Sequence, residues 1–449
     1  MFYDREEEIE FLKGVLRKER KVFVVLYGRR RVGKTTLVKR VIGEGGEYFF
    51  VEVKRPETLL REFSKRISRG TFESWYDFFT ELFEKRDVIV FDEFQNFMRV
   101  DEGILYSLQH AWDDLERPVK LIAVGSYVGM MKRIFTDAKM PLFGRKDYII
   151  NLKPFGVSES VEMLKNFGYD VEEALMIYAM VGGVPPYLLL FENVRPFEEL
   201  VRDVFVSRFA PLRDEAKNIL VLEFGSEHRS YFSILEAIGA RALTLSEISD
   251  STGMDKNKLS KYIDELTREY QILEASRPLL SKNGKRRKYR IADRFYAFYY
   301  HVIHRLKSLI ELAPERAVEE IVSRFPTYMG LTFEEICAEY FSQNHQILGF
   351  IPLEIGKSWG RVPGKRRESF DIDVVAYDDE NVAVVECKWT GKPVGFEIYE
   401  KLRERASFLD LRGRRVKYVI VSKSGFADDL LRASGEDLIL LTPEDMFGR

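Results

Sequence analysis

Cysteine is nearly absent: Cys337 and Cys387 are the only two in 449 residues. Two thiols cannot build a disulfide framework or a zinc ribbon, and they fit a reducing compartment. Long apolar runs are missing as well. No uninterrupted stretch approaches the roughly 18–20 residues of a membrane-spanning helix. The opening MFYDREEEIE is acidic where a secretory leader is basic and then apolar, so a cytoplasmic protein without membrane contact is expected. Net charge is also lacking, since 70 Lys and Arg against 72 Asp and Glu leave −2. The overall balance therefore names no polyanionic partner, and a nucleic-acid surface must be sought as a local patch. The chain does have apolar material for real cores, at 45% hydrophobic and 13% aromatic residues. At about 150 residues per domain, its length predicts roughly three domains. Abundant Lys, Glu and Arg beside so little Cys is a thermophile-like composition.

The stretch KVFVVLYGRRRVGKTTLVKRVI contains Gly28-x4-Gly33-Lys34-Thr35 between an apolar run and an amphipathic segment. That order predicts strand, glycine loop and helix. Glycines let backbone N–H groups curl around phosphates at a helix N-terminus, where the dipole favours anions. The loop would be formed by Gly28, Arg29, Arg30, Arg31, Val32, Gly33, Lys34, Thr35 and Thr36. Lys34 would reach the β and γ phosphates, and the Thr35 hydroxyl would ligate Mg²⁺. A second strand, Val88 to Phe91, ends in Asp92-Glu93 and is expected to run beside the first. Asp92 would hold Mg²⁺ through water, and Glu93 would orient or deprotonate an attacking water. A third strand ends at Gly125-Ser126, where Ser126 either senses the γ phosphate or caps the following helix. Arg145, after Gly144, is a candidate arginine finger within the chain or on a neighbouring subunit, or else a surface charge.

Taken in order, FYDREEEIEFL, the phosphate loop, the Asp92-Glu93 strand, GSYVGMM, LFGR and MVGGVPPYL resemble the archaeal-type P-loop ATPase family, an AAA+/STAND-like branch, over roughly residues 1 to 225. The resemblance implies ATP as cofactor. It implies that Asp4 and Arg5 lie near the adenine edge, and that Gly183 and Pro185 form a nucleotide-facing turn in a helical lid. Glycine and proline would equally make GGVPPY a plain interhelical turn. Tyr127 departs from the pattern, which has a second small hydroxyl residue after Ser126.

From about Ser226 the pattern shifts to short helices. TLSEISDSTGMDKNKLSKYIDELTREY reads as two helices around a turn at Gly253, with Asp255 as N-cap of the second. Two strand-like runs joined at Asn283-Gly284 follow, and helix-turn-helix plus hairpin predicts a winged helix. Between Asp255 and Arg290 there are 11 Lys or Arg against 5 Asp or Glu. Such a patch suits DNA phosphates through Lys256, Lys258 and Lys261 on the helix and Lys285, Arg286, Arg287 and Lys288 on the wing. A protein dock or a solvated surface would account for the same charges.

Near the far end, FDIDVVAYDDENVAVVECKWT predicts a hairpin turning between Asp379 and Glu380, which sets Asp373 opposite Glu386 and Asp371 opposite Lys388. Side chains alternate faces, so these four share one side. Asp373 and Glu386, with the Cys387 carbonyl, make an oxygen-rich site for Mg²⁺ or Mn²⁺, and Lys388 would position a water. Cross-strand ion pairs on a solvated face are the plainer alternative. Glu334, Asp373, Glu386 and Lys388 also resemble the PD-(D/E)xK nuclease-like superfamily over roughly residues 325 to 449, with Glu335 an alternative helix acid; such a DUF234-type domain accompanies these archaeal ATPases.

The expected architecture is a multidomain α/β protein: a parallel-sheet P-loop core (1–155), helical lid (156–225), winged helix (226–300), helical connector (301–324) and restriction-endonuclease-like α/β domain (325–449). The expected function is Mg²⁺-dependent ATP binding and hydrolysis controlling a winged helix and nuclease-like module that act on DNA. Two alternatives stand beside it: a slow ATP/ADP switch with a non-catalytic C-terminal binding domain, and an ATP-regulated, metal-dependent DNA nuclease. A homo-oligomer or a protein partner is compatible with either.

Overall fold

Val22–Tyr27 (β1) is apolar throughout and buried at every position, as a parallel strand covered on both faces requires. In the computed structural model, which describes residues 5–225, 228–239, 241–282, 287–365 and 368–448, β1 lies inside a five-stranded parallel sheet. The other strands are Glu47–Phe50 (β2), Val88–Asp92 (β3), Lys120–Gly125 (β4) and Tyr148–Asn151 (β5), in the order β2-β3-β4-β1-β5. Contrary to expectation β3 does not run beside β1, because β4 lies between them. All six residues of β4 are buried, and they pair with β1 from Val22↔Lys120 to Tyr27↔Gly125. Being as long and as fully buried as β1, β4 takes the centre, and shorter β3 pairs on its far side. Since every strand is parallel, the loop after β1 and the acids ending β3 still leave one edge.

Alternation divides the core beneath this sheet. Phe23, Phe49, Phe91 and Leu121 face an aromatic-rich layer with Phe63, Phe78 and Trp112. Val22, Val24, Val90 and Ile122 face an aliphatic layer with Leu12, Leu37 and Val38.

The chain divides into two compact units, Met1–Pro154 with Arg268–Tyr270, and Phe155–Thr267 with Gln271–Arg449. In the second, helices Val157–Phe167 and Val171–Val181 lead to the Gly182-Gly183 turn and the short helix Pro185–Leu188. Helices His228–Ile238, Leu245–Thr252 and Lys256–Asp264 are followed by an antiparallel ribbon of Leu273–Ser276 (β6) and Lys288–Ile291 (β7). Gly253 ends one helix at φ 68°, and the Asp255 carboxylate accepts from the N–H groups of Asn257 and Lys258, as its N-cap position requires. The ribbon's turn at Asn283-Gly284, together with Asp4, Lys285 and Arg286, lies outside the described residues.

A 30-residue helix, Pro314–Gln343, runs through position 325, where a new domain was expected to begin. It contains Pro326, which costs about 3 kcal/mol in a helix interior. Burial of Phe325, Tyr328, Met329, Phe333, Ile336 and Cys337 along the same helix offsets that cost. Beyond it, Glu354–Arg361 (β8), Ser369–Tyr377 (β9), Asn381–Lys388 (β10), Arg415–Ser422 (β11) and Leu438–Leu441 (β12) form a mixed sheet in the order β12-β11-β10-β9-β8. Its β9–β10 register, Val382↔Tyr377 to Val385↔Val374, is the one expected from a turn between Asp379 and Glu380. Among the described residues no helix is long and apolar enough to cross a membrane.

Gly183 tests the packing of the turn. A Cβ there would overlap the Phe155 carbonyl oxygen, whereas one at Gly14, in helix Glu6–Leu16, meets nothing within 4 Å. Gly183→Ala is expected to destabilise by about 1–3 kcal/mol, and Gly14→Ala to stabilise by about 0.5–1 kcal/mol. Shifts of opposite sign in the denaturant midpoint check the pair.

Candidate nucleotide site and carboxylate cleft

The loop after β1 is shaped by backbone that few residues tolerate. A Cβ at Gly28 would overlap the Leu152 carbonyl oxygen, Arg31 and Gly33 adopt φ of 67° and 94°, and Gly33 caps helix Lys34–Ile42. Val32 is buried and anchors the loop to the aliphatic layer. The Lys34 ammonium, on a side chain only 6% exposed, donates to the carbonyls of Gly28 and Arg29, both at 2.7 Å. It is thus held inside the curl of the loop at a helix N-terminus, where an anion is favoured. Arg30 donates to the Tyr127 hydroxyl at 2.7 Å and lies over its ring. The departure at Tyr127 therefore has a partner within the loop. Thr36 is exposed.

Asp92 is 2% exposed, and its Oδ2 accepts from the hydroxyls of Thr35 and Tyr48, each at 2.6 Å. Burial, and then the bond to Asp92, push the Tyr48 phenol well above its ordinary range. Glu93 has φ 54°, and its Oε2 accepts from Ser126 Oγ at 2.6 Å and from Gln95 Nε2 at 2.5 Å. Gln95 is fully buried. Ser126 meets Glu93 directly rather than serving as a helix cap, and the following helix, Val128–Thr136, starts from Tyr127 without a side-chain cap. Thr35 and Asp92 offer adjacent hard oxygens and fit Mg²⁺. Tyr48 and Gln95 were not singled out in the sequence. A polar-tipped aromatic in β2 and a glutamine two residues after the acid pair were the available signals.

Arg145 is not brought to this edge. It donates to Asp113 at 3.0 Å, and Lys21, just before β1, donates to the Trp112 carbonyl at 2.8 Å. Both contacts lie at the N-terminal end of the sheet, one six-residue strand from the loop, about 20 Å at 3.3 Å per residue. A finger acting on its own chain's loop is thereby ruled out. Arg5 is buried, donates to the Lys153 carbonyl at 2.6 Å and pairs with Glu8 at 3.0 Å. It clamps the segment beside Leu152, which abuts Gly28. Pro185 opens a short helix of the second unit.

In that unit, Asp373 and Glu386 are 6% and 4% exposed. Asp373 Oδ2 accepts from the Cys387 N–H at 2.8 Å. Burial, then the charges of Glu334 and Glu386, push its carboxyl up to about 8. Glu386 accepts from Lys388 at 2.5 Å and from Arg405 at 3.1 Å on each oxygen. Glu334 pairs with Lys357, and burial is the main cause that raises its carboxyl. Lys357 and Arg405 were missed because one lies on β8 and the other on helix Phe396–Ala406, distant in sequence from the hairpin. Glu335 belongs to a different set, pairing with Arg290 at 2.6 Å and with Arg294. Burial alone would raise it, but the two guanidinium groups outweigh this and hold it low. Asp371 is exposed. Among the described residues no group of three or more His, Cys, Asp or Glu forms a metal-holding cluster. A cation here would rest on Asp373 and Glu386, and Lys388 and Arg405 already neutralise the latter.

Lys256, Lys258 and Lys261 are exposed, as is Arg287. Lys288 is not a projecting wing residue; its ammonium lies 4.8 Å from the ring centroid of Trp359 in β8. Leu279, just after β6, is hydrogen-bonded to Lys357 and Ser358 of β8, and this tether brings Lys288 to Trp359.

Residues 2–191 match the family described as ATPase domain predominantly from Archaea, and residues 299–401 match one described as Archaea bacterial proteins of unknown function, DUF234. The chain is 30% identical over 438 residues to an uncharacterized protein of Methanocaldococcus jannaschii, covering 94% of this chain and 96% of that one. It is 24% identical over 255 residues to an uncharacterized ATP-binding protein of Pyrococcus abyssi, covering 44% and 75%. The Aeropyrum pernix ORC2 protein in ADPNP–ADP complexes aligns at TM-score 0.44 and 15% identity over 72% of this chain and 94% of that chain. A signal transduction ATPase with a tetratricopeptide repeat sensor from Pyrococcus horikoshii aligns at 0.31 and 16%, over 78% and 51%. With 30% identity to one relative over nearly the whole chain and family matches over residues 2–191 and 299–401, the chain belongs to the archaeal P-loop ATPase family that carries a DUF234 domain in its C-terminal region.

Proposed function

We propose that this protein binds ATP with Mg²⁺, hydrolyses it, and uses its nucleotide state to control the second unit, which acts on DNA. The observation that carries this reading is the convergence of Lys34, Thr35, Asp92, Glu93 and Ser126 on one sheet edge through hydrogen bonds of 2.6–2.7 Å. Mg²⁺ bound beside Thr35 and Asp92 would neutralise charge between the β and γ phosphates. Lys34 exchanges its loop carbonyls for phosphate oxygens. Glu93 takes a proton from the attacking water, while Ser126 and Gln95 orient its carboxylate. The names of several relatives as ATP-binding proteins support the nucleotide.

We read the three helices and the ribbon as a winged helix that meets DNA phosphates through Lys256, Lys258, Lys261 and Arg287. The mixed sheet we read as nuclease-like, with Glu334, Asp373, Glu386 and Lys388 as its site. That second activity is favoured by one observation: Asp373 is a buried carboxyl with a single donor among the described residues, the Cys387 N–H, a costly arrangement unless a cation or a proton shares it.

Lys34→Ala should abolish ATP hydrolysis and weaken ATP binding, and Glu93→Gln should retain binding while turnover falls about 10²-fold or more. A Glu93→Gln protein hydrolysing at the parent rate in a phosphate-release assay refutes the assignment. Gln95→Ala should lower kcat with little change in KM, since it touches Glu93 and not the loop; steady-state kinetics distinguish this from a binding defect. With Mn²⁺ or Mg²⁺ present, any DNA cleavage by the parent should disappear in both Asp373→Asn and Lys388→Ala. Cleavage persisting in either variant removes that residue from the site.

A further inference from the structure

Glu334, Asp371 and Asp373 open onto a cavity of about 480 Å³ within the second unit. Its floor is β8 and β9, with Lys357, Trp359 and Asp373, and its roof is the β6–β7 ribbon, with Lys288 and Arg290. The roof is fastened down. Leu279, just after β6, is buried in the core of the mixed sheet. Its N–H donates to the Lys357 carbonyl at 3.0 Å, and its carbonyl accepts from Ser358 Oγ at 2.6 Å. The Leu280 carbonyl accepts from the Asp410 N–H at 2.7 Å, and Arg290 binds Glu335 from above. Raising the ribbon would expose Leu279 and break each of these bonds.

Size then decides what reaches the carboxylates. A volume of about 480 Å³ falls within the range of about 300–1,000 Å³ of pockets that take one small ligand. A continuous duplex, whose major groove alone is about 12 Å wide, does not enter under a fixed roof. The lining sets Arg241, Lys288, Arg290 and Lys357 against six carboxylates, so a nucleotide's base has an aromatic plane while its phosphate must lie at a basic side chain. Trp359 supplies an aromatic plane, with the Lys288 ammonium 4.8 Å from its centroid; single-strand sites combine such a plane for the base with cations for the backbone. Lys357 stands at the carboxylate end of the same cavity, paired with Glu334.

We infer that this cleft binds one nucleotide of an unpaired DNA strand, stacking its base at Trp359 and setting its phosphate at Lys357, beside Glu334 and Asp373. The substrate class of the nuclease-like site is accordingly a strand end, or a nucleotide extruded from a duplex, and not continuous duplex. The chemistry at that phosphate rests on the nuclease-like reading above; the binding does not.

The test uses the full chain with Ca²⁺ and a fluorescent thymidine oligonucleotide followed by anisotropy. The oligonucleotide should bind, and closed-circular duplex at equal nucleotide concentration should not displace it. Trp359→Ala should weaken binding about tenfold or more while keeping the parent's circular dichroism spectrum and melting transitions, which report that the second unit is folded. Lys288→Glu, a change at the cavity rim, should weaken it as well. The inference is overturned if closed-circular duplex displaces the oligonucleotide as a single strand does, or if both variants bind like the parent. Trp359-dependent binding without cleavage in Mg²⁺ or Mn²⁺ would leave the cleft standing and remove the nuclease. Asp373-dependent internal cutting of closed-circular duplex by a protein that does not bind the oligonucleotide would do the reverse.

Discussion

A carboxylate withdrawn from water costs several kcal/mol unless donors replace the lost hydration, and Asp92 has three: the Thr35 and Tyr48 hydroxyls and the Glu93 N–H. Each donor comes from a different piece of the first unit. Thr35 lies in the first turn of the helix after the phosphate loop, Tyr48 on β2, and Glu93 on the turn after β3. Satisfying this one acid therefore sets the height of the loop helix against the sheet and fixes where the neighbouring Glu93 points. The Glu93 turn adopts φ 54°, uncommon for a residue with a side chain. The strain is borne where the carboxylate must face Ser126 and Gln95.

The second unit is organised around a buried charge of opposite sign. Arg294 is buried and pairs with Glu335 and, at 3.7 Å, with Glu339. Glu339 accepts from the Tyr178 hydroxyl at 2.9 Å and from the Val157 N–H at 2.9 Å, and Glu335 also holds Arg290 of β7. Helices Val157–Phe167 and Val171–Val181, the ribbon and helix Pro314–Gln343 thus share one network. Breaking one partner of such a network strands the others without water, which binds the pieces into one unit more firmly than surface ion pairs could.

Some of this was readable from residue order, because the governing interactions are local. The phosphate loop is encoded by glycine spacing after an apolar run. The β9–β10 register follows from a tight turn as far as Val374↔Val385, whereas a shift against β8 between Ile372 and Val375 breaks the alternation expected to carry it on through Asp373 to Asp371. Asp255 and Gly253 announce their caps by identity and position. Other features were invisible. Nothing in Lys120–Gly125 says that it pairs between β1 and β3, since any all-apolar parallel strand can take a central place. Arg145 follows a glycine as a finger might, yet its place at the N-terminal end of the sheet depends on how β5 docks. Lys288 reads as a wing cation, and only the tether of Leu279 to β8 brings it to Trp359.

Composition and spacing alone determined that this chain has a parallel phosphate-loop core, a helical middle and a hairpin bearing acids, because backbone geometry and alternation act over a few residues. The tertiary structure decided which groups meet: Tyr48 and Gln95 at the acids of β3, Lys357 and Arg405 at those of the hairpin, and a ribbon fastened over the cavity beside Asp373. Except for Gln95, two residues from Glu93, those contacts join positions 19 or more residues apart, and burial of shared apolar surface and paired charge, not local preference, chooses them.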